Sequence, residues 1–485
     1  MRKSQVLVTL ILALTFSVIG TANGQGIFDA TVTDEIETIQ MVASGRRYAP
    51  RQSISPGGSP QHTSNYEIEV TWNPGEWLAR EEKVQQNIYP VQIELPYTMT
   101  YGETAGIKEG RDSFGSPVTD ERPMAPARIG TNFKDLWLTN PVLLAVQADV
   151  LSTADISVGG ENLLRVTFAA LDTEWHMIID PATQLPREVV TIESDPHNGR
   201  IPNRVVFSNW QDVSGVPFPF QIEQYLGGDL LRREIRSSIE INARNAERQL
   251  ELPDDLPETD EAMRQWGWQR SHLLLARASL GGPMDVPDID NVTFDEVGPD
   301  IFQVTGSIHH ALVVAGPSGI AVVDAPWFPE RSEIIMRQIE ERWPGLPIRY
   351  IILSHHHIDH TGGFRSFVEA GATLVAHADS VPFFEAAMEN AGHSNFDSIS
   401  VADSVSLDGI GRTIGVYELT NAHSDGAVVA YVPDTKLLFN ADIYSPGREL
   451  QFDWMHDLFD EVRYHGLDVE RHVGGHGDGY DAGRD

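Results

Sequence analysis

The chain has 485 residues, 41% hydrophobic and 22% charged, with no cysteine and a formal net charge of −35. This length exceeds one ordinary core and predicts two domains, at roughly 100–200 residues each. The missing cysteines exclude disulfides, thiolate ligands and a cysteine nucleophile, and acidity of this order disfavours nucleic acid and anionic lipid as partners.

Residues 1–24 read as a signal peptide. Arg2 and Lys3 precede an apolar run from Val6 to Ile19, and small residues end it at Ala22-Asn23-Gly24. Thr9, Thr15 and Ser17 interrupt the run, which is short for a span of roughly 20 residues. Cleavage near Gly24 is therefore expected, with a periplasmic or extracellular location and no stable membrane insertion afterwards.

Residues 25–252 read as a β-rich domain. "NYEIEVTW", "NLLRVTFAAL", "EWHMIID", "REVVTI", "RVVFSNW" and "LLRREIRSSIEIN" alternate apolar and polar residues or are rich in β-branched ones, as half-buried antiparallel strands do. One helix is expected around Phe133 to Val150, and Pro50 to Ser64 reads as a Pro/Gly/Ser loop. Residues 253–290 begin and end in Pro and Asp and read as a linker carrying a helix between Glu258 and Leu280.

Residues 291–485 alternate strand and helix. "GIAVVDAP" and "IRYIILS" are strands, and between them "ERSEIIMRQIEERW" is an amphipathic helix stopped by Pro344-Gly345. "ATLVAHA", "IGVYELT", "AVVAYVP" and "KLLFNADI" follow as strands, which predicts a layered α/β domain on mixed sheets.

Only four of the 17 histidines, His62, His176, His197 and His272, precede residue 300. The chemistry is therefore expected in the C-terminal domain. In "LSHHHIDHTGG" the chain leaves a buried strand, so His355 and His357 can point to one side while Asp359 and His360 face a second position. Neutral imidazole and carboxylate are ligands that zinc-like cations prefer. Downstream, "TNAHSDGAVV" places His423 in a loop, and "LLFNADI" ends a strand at Asp442, where a buried carboxylate is costly unless paired or metal-bound. "HVGGHGDGY" presents His476 on a glycine-flanked loop.

In this order these residues resemble the metallo-β-lactamase-fold hydrolases, with their His-x-His-x-Asp-His motif and later His, Asp and His. The resemblance runs from about Asn291 to His476 and implies an αββα sandwich. It implies a first metal on His355, His357 and His423, a second on Asp359, His360 and His476, and Asp442 bridging both. The cofactor implied is two zinc ions per chain, with iron or manganese as alternatives. His356 falls in a variable slot of the motif. The bridging aspartate resembles the glyoxalase II, lactonase and phosphodiesterase branches rather than the true β-lactamases, so β-lactam hydrolysis is the lesser reading. The stretch "VVFSNWQDVSGVPFPFQIEQYLGGDLLRREI" resembles the curved antiparallel sheets of bacterial lipoprotein-carrier proteins, which implies a cup for an apolar or acyl ligand; a packing or dimerisation module is the alternative.

Asp324 corresponds to an acidic residue that braces the His loop in that fold. His309 and His310 edge the site, and both are read as structural, as are His377 and His472. Trp327 and Phe328 line a pocket mouth or cover core, and Tyr444 is a candidate donor to the transition state.

The expected reaction is hydrolysis of an ester, thioester or lactone in a small-molecule substrate. Two cations about 3.5–4 Å apart lower the pKa of a shared water, and Asp359 and Asp442 act as the catalytic carboxylates that orient it. An iron-dependent oxidoreductase on the same fold, or a ligand-binding protein with a structural metal domain, is the alternative.

Overall fold

The structure, a computed structural model, describes residues 35–115, 119–284, 289–447, 454–477 and 479–481. The segment expected as a signal peptide lies outside the described residues. No helix among the described residues is long and apolar enough to cross a membrane. The described chain divides into two compact units. The first holds residues 35–50, 60–194 and 200–284, and the second holds 51–59, 195–199 and 289–481.

In the first unit the alternating segments form one antiparallel sheet of thirteen strands. Strands consecutive in sequence are neighbours in the sheet except Arg122–Pro123 and Asp149–Val158, which form its two edges, and the first strand, Ile39–Ala49, also pairs with the last, Asp229–Ile241. In Gln61–Asn73, Tyr66, Val70 and Trp72 are buried while Glu67 and Glu69 face solvent, the two-residue period the sequence predicts. The helix Pro126–Thr139 starts with proline in its first turn, where no amide partner is lost, and is buried on nearly every side. Its Phe133 and Trp137 share one core with Trp72 and Tyr101 and with Val166, Phe168 and Phe218 from the other half of the sheet, so the sheet curls about the helix. The helix expected from Phe133 to Val150 is thus two, Pro126–Thr139 and Pro141–Val146, because Pro141 cannot continue the first.

Of the segment expected as a linker, residues 253–284 are part of the first unit instead. They form two helices, Glu261–Gln269 and Ser271–Ser279. Glycines explain the docking. A Cβ at Gly267 would lie 1.9 Å from the Ala127 carbonyl oxygen, and one at Gly130 would lie 2.0 Å from that of Arg264. Two helices cross here at backbone contact, which the acidic, proline-rich flanks of the segment conceal. The stretch Pro50–Ser64 is likewise divided: residues 51–59 join the second unit and Gln61–Asn73 is a strand.

The second unit is a sandwich of two sheets with helices outside. One sheet runs Thr293–Gly298, Ile301–Thr305, Ala311–Gly316, Gly319–Val323, Ile348–Ile352, Thr373–His377 and Ser398–Val401, parallel over its last three pairings. The other runs Ser404–Leu407, Ile414–Leu419, Ala427–Val432, Leu437–Asn440, Arg471–Gly474 and Gly479–Asp481. Leu312, Val314, Val323 and Ile352 of the first sheet meet Val416, Val428, Val432 and Phe439 of the second in one buried layer. Each such side chain contributes roughly 1.5–3 kcal/mol on burial. The helices Pro329–Arg342, Phe364–Glu369 and Val381–Asn390 cover the outer face of the first sheet, and Met455–Tyr464 covers that of the second. This is the αββα arrangement expected.

Candidate metal centre

Strand direction gathers the site. Asp324 follows Gly319–Val323, His355 to His360 follow Ile348–Ile352, Asp442 follows Leu437–Asn440, and His476 follows Arg471–Gly474. His309 and His423 precede Ala311–Gly316 and Ala427–Val432, which run antiparallel to their neighbours, so both fall at the same edge. Side chains scattered over 168 positions of sequence are thereby brought together.

Two groups of ligating atoms result. His355, His357, His423 and Asp442 form one, and His309, His360 and His476 the other. The Asp442 carboxylate lies between them. Its Oδ2 is 3.0 Å from His423 Nε2 and 3.5 Å from His355 Nε2, and its Oδ1 is 2.8 Å from both His360 Nε2 and His476 Nε2.

The outward nitrogens of His355, His357 and His476 meet oxygens. His355 Nδ1 is 3.0 Å from Ser354 Oγ, which itself donates to Asp324. His357 Nε2 meets the Ser53 carbonyl at 3.0 Å, and His476 Nδ1 meets that of Ile308 at 2.6 Å. The inward atoms His355 Nε2, His357 Nδ1, His360 Nε2 and Asp442 Oδ1 are buried and make no directed hydrogen bond. Outer nitrogens that donate to oxygen fix each ring's tautomer and leave the inner lone pair for a cation, so the donor set fits metal ions.

Local backbone chemistry holds these side chains. Asp324 accepts from Ser354 N at 2.8 Å and Ser354 Oγ at 2.9 Å, and its Oδ2 is 3.4 Å from His360 Nδ1, which is the bracing role expected of it. Asn421 Oδ1 accepts the amides of His423 and Ser424, both at 2.9 Å, closing a turn that aims His423. Gly475 passes so near Ala441 that a Cβ would lie 2.8 Å from its Cα.

Burial alone would raise the Asp442 carboxyl, but His360, His355 and His423 around it hold it well below the usual carboxylate range. Burial, opposed by Asp442, pushes His355 down to about 3. His360 moves the other way: Asp442 and Asp324 outweigh its burial and hold it well above an ordinary imidazole.

Asp359 is placed differently from the other expected ligands. Its Oδ1 accepts from Gln52 Nε2 at 2.6 Å, and its Oδ2 is 3.1 Å from His309 Nε2. His309, read as structural, instead stands in the second group, its ring 4.3 Å from that of His476 and 4.7 Å from that of Trp327. The paired histidine beside it is structural: His310 Nδ1 meets Gln303 Nε2 at 2.8 Å and its Nε2 meets the Ser307 carbonyl at 3.1 Å. His356 turns to Ser53 O and Ser424 Oγ. His377 lies against Glu418 and the Asp379 amide, and Phe328 is core. Tyr444 and His472 pack with Phe459.

Sequence reasoning missed Gln52 and Ser53. They stand in the residue 51–59 loop, which also binds the His423 turn through Asp425 N to Ile54 O at 2.8 Å and Ser55 Oγ to Asp425 Oδ2 at 2.6 Å. No motif announces them. The doublet His309-His310 did offer a signal.

A metallo-β-lactamase from Pontibacter korlensis is similar to this chain at 19% identity, covering 39% of this chain and 93% of that one, with a TM-score of 0.33. The DIM-1 metallo-β-lactamase is similar at 19% identity over 39% and 92%, with a TM-score of 0.33. The 2,4-dinitroanisole O-demethylase subunit alpha of Nocardioides sp. (strain JS1661) is 26% identical over 201 residues, 38% of this chain; the chain covers 58% of that protein's length. The model of the metallo-beta-lactamase superfamily matches residues 304–476, the span that holds both histidine groups. With its two facing sheets and this motif order, the C-terminal unit is a domain of the metallo-β-lactamase superfamily.

Proposed function

We propose that the chain is a metal-dependent hydrolase whose two histidine groups, together with Asp442, would hold a pair of zinc ions. The reading rests on one observation above the others: a buried carboxylate that offers one oxygen to each group. His355, His357 and His423 would hold one ion, and His360 and His476, with Asp359, the other. Ions held there supply Lewis acidity, lowering the pKa of water and polarising a substrate oxygen.

The remaining work falls to the chain. Asp359 and Asp442 accept hydrogen bonds from the attacking water and orient it. His309 and Gln52 hold the Asp359 carboxylate in place from its two oxygens. Trp327, edge-on to His309, and Trp454, 5.3 Å from the His423 ring, bring apolar surface against the histidines. The substrate class is a small-molecule ester, thioester or lactone. The residue pattern of 1–24 supports action in a periplasm or outside the cell.

The name of the Nocardioides relative favours a second reading, removal of a methyl group from an aryl methyl ether. Product chemistry separates the two routes to it. Hydrolysis of the ether yields methanol and a phenol, whereas oxidative demethylation consumes dioxygen and a reductant and yields formaldehyde. The deciding experiment offers purified protein esters, thioesters, lactones, a β-lactam and 2,4-dinitroanisole, with metal content measured on the same sample. Turnover of an acyl substrate that falls with zinc removal supports the first reading. Formaldehyde release with stoichiometric iron replaces it.

A further inference from the structure

The first unit contains a second polar site, built on the inner face of its sheet. A cavity of about 60 Å³ lies between the strands and the helix Pro126–Thr139. Four cations line it, Arg47, Lys83, Arg232 and Arg236, against three carboxylates, Glu81, Asp135 and Glu234.

The carboxylates are already engaged. Arg232 Nη2 donates to both Asp135 oxygens at 2.8 Å. Glu234 accepts from Tyr66 OH at 2.8 Å and Arg236 Nε at 3.3 Å, and Glu81 accepts from Tyr101 OH at 2.5 Å. Arg47 and Lys83 remain. Among the described residues neither makes an ion pair, although they are only 7% and 4% exposed. Arg47 Nε and Nη1 make no hydrogen bond at all. Both cations lean on one ring, Arg47 Cζ at 5.2 Å and Lys83 Nζ at 4.7 Å from the centre of Tyr66. A ring face offsets only part of the cost of dehydrating a cation. Burial, reinforced by the Arg47 charge, accordingly holds the Lys83 amine well below its ordinary range.

We infer that this cavity binds a small aliphatic monocarboxylate, its head on Lys83 and Arg47 and its alkyl group against Met41, Val70 and Met99. The formal charge points to a monoanion, because four basic against three acidic side chains leave a single excess positive charge, and the carboxylates repel a second negative one. Planarity points to a carboxylate, which matches the guanidinium fork. Size follows from the volume: a water needs roughly 10–15 Å³ of such space, so the cavity admits about four to six heavy atoms. Propionate and butyrate have that size, and a long acyl chain does not.

The test is thermal melting of the full-length protein at constant ionic strength, with propionate, butyrate, sulfate or chloride. A saturable rise in Tm is expected with the two carboxylates and not with sulfate or chloride, following the logarithmic dependence of a single site. Lys83→Met and Arg47→Met each weaken the apparent affinity at least about tenfold. His355→Ala, which alters the other unit, leaves it unchanged. Equal effects of all four anions, or no saturable rise in the wild type up to about 100 mM, overturn the inference without recourse to any variant. A rise that survives Lys83→Met and disappears in His355→Ala assigns the anion to the metal centre and also overturns it.

Discussion

Replacing Gln52 by alanine removes a hydrogen bond that the motif residues themselves cannot supply. Gln52 Nε2 donates to Asp359 Oδ1 at 2.6 Å, from 307 positions away in sequence, and both residues are buried. A hydrogen bond to a charged acceptor is worth about 1.5–3 kcal/mol. Loss of a group that orients a ligand typically lowers metal affinity about 10–100-fold, which converts to roughly 1.4–2.7 kcal/mol, so the two routes agree. The other Asp359 oxygen stays against His309, which keeps the carboxylate from swinging free and sets the expected loss at the lower end. Competition of zinc between the protein and a chelating dye reads this directly. On the proposed two-zinc reading, Gln52→Ala is predicted to weaken the zinc held with Asp359 about tenfold while the helical and sheet content is unchanged. An affinity within about twofold of wild type refutes the assignment of Gln52 as a positioning residue.

The adjacent histidines separate by role: His309→Ala lowers zinc content measured by elemental analysis, whereas His310→Ala leaves it unchanged and costs stability, because Gln303 Nε2 loses one of its three acceptors and the Ser307 carbonyl loses its ring partner. Gly475→Val forces side-chain atoms against Ala441 and His360 Cε1, the latter 3.1 Å from where a Cβ would stand, and is expected to lower both metal content and stability, the second by about 1–3 kcal/mol in a urea melt. In the first unit Glu193, fully buried, accepts from Lys134 at 2.9 Å, Ser271 Oγ at 2.8 Å and His272 Nδ1 at 2.7 Å. Burial alone would raise its carboxyl, but Lys134 and His272 hold it far below the usual range. A depressed carboxyl stabilises fully above the unfolded value of about 4.3 and loses that contribution progressively as pH falls from there through the folded value. Glu193→Gln therefore destabilises by about 3–5 kcal/mol at neutral pH, and the gap between variant and wild type closes in acid; a gap that widens there contradicts the pairing.

The candidate centre was legible where its side chains sit in strand-end motifs. "HHHIDH" after an apolar strand, Asp442 at the end of another and His476 between glycines are constrained locally, so their convergence follows once the strands are ordered. Asp324 belongs with them, since a carboxylate at the end of "IAVVD" has the Ser354 amide within reach. Gln52, Ser53 and the role of His309 were not legible, because each depends on where a loop lies in space rather than on the period of its own segment. The same holds for the helices Glu261–Gln269 and Ser271–Ser279. Their flanks carry the composition of a linker, and only the mutual approach of Gly130 and Gly267 makes them part of a core. The strands of the first unit followed from alternation, but which inward positions carry unpaired cations depends on pairing Ile39–Ala49 with Asp229–Ile241 across the length of the domain.

Metal content per chain, measured on the full-length wild type beside His355→Ala and His476→Ala, tests the central claim most directly. The account predicts two ions in the wild type and one in each variant, since each substitution dismantles one group and leaves the other with Asp442. One ion or none in the wild type, or a full complement retained in both variants, contradicts a two-metal centre joined by that carboxylate.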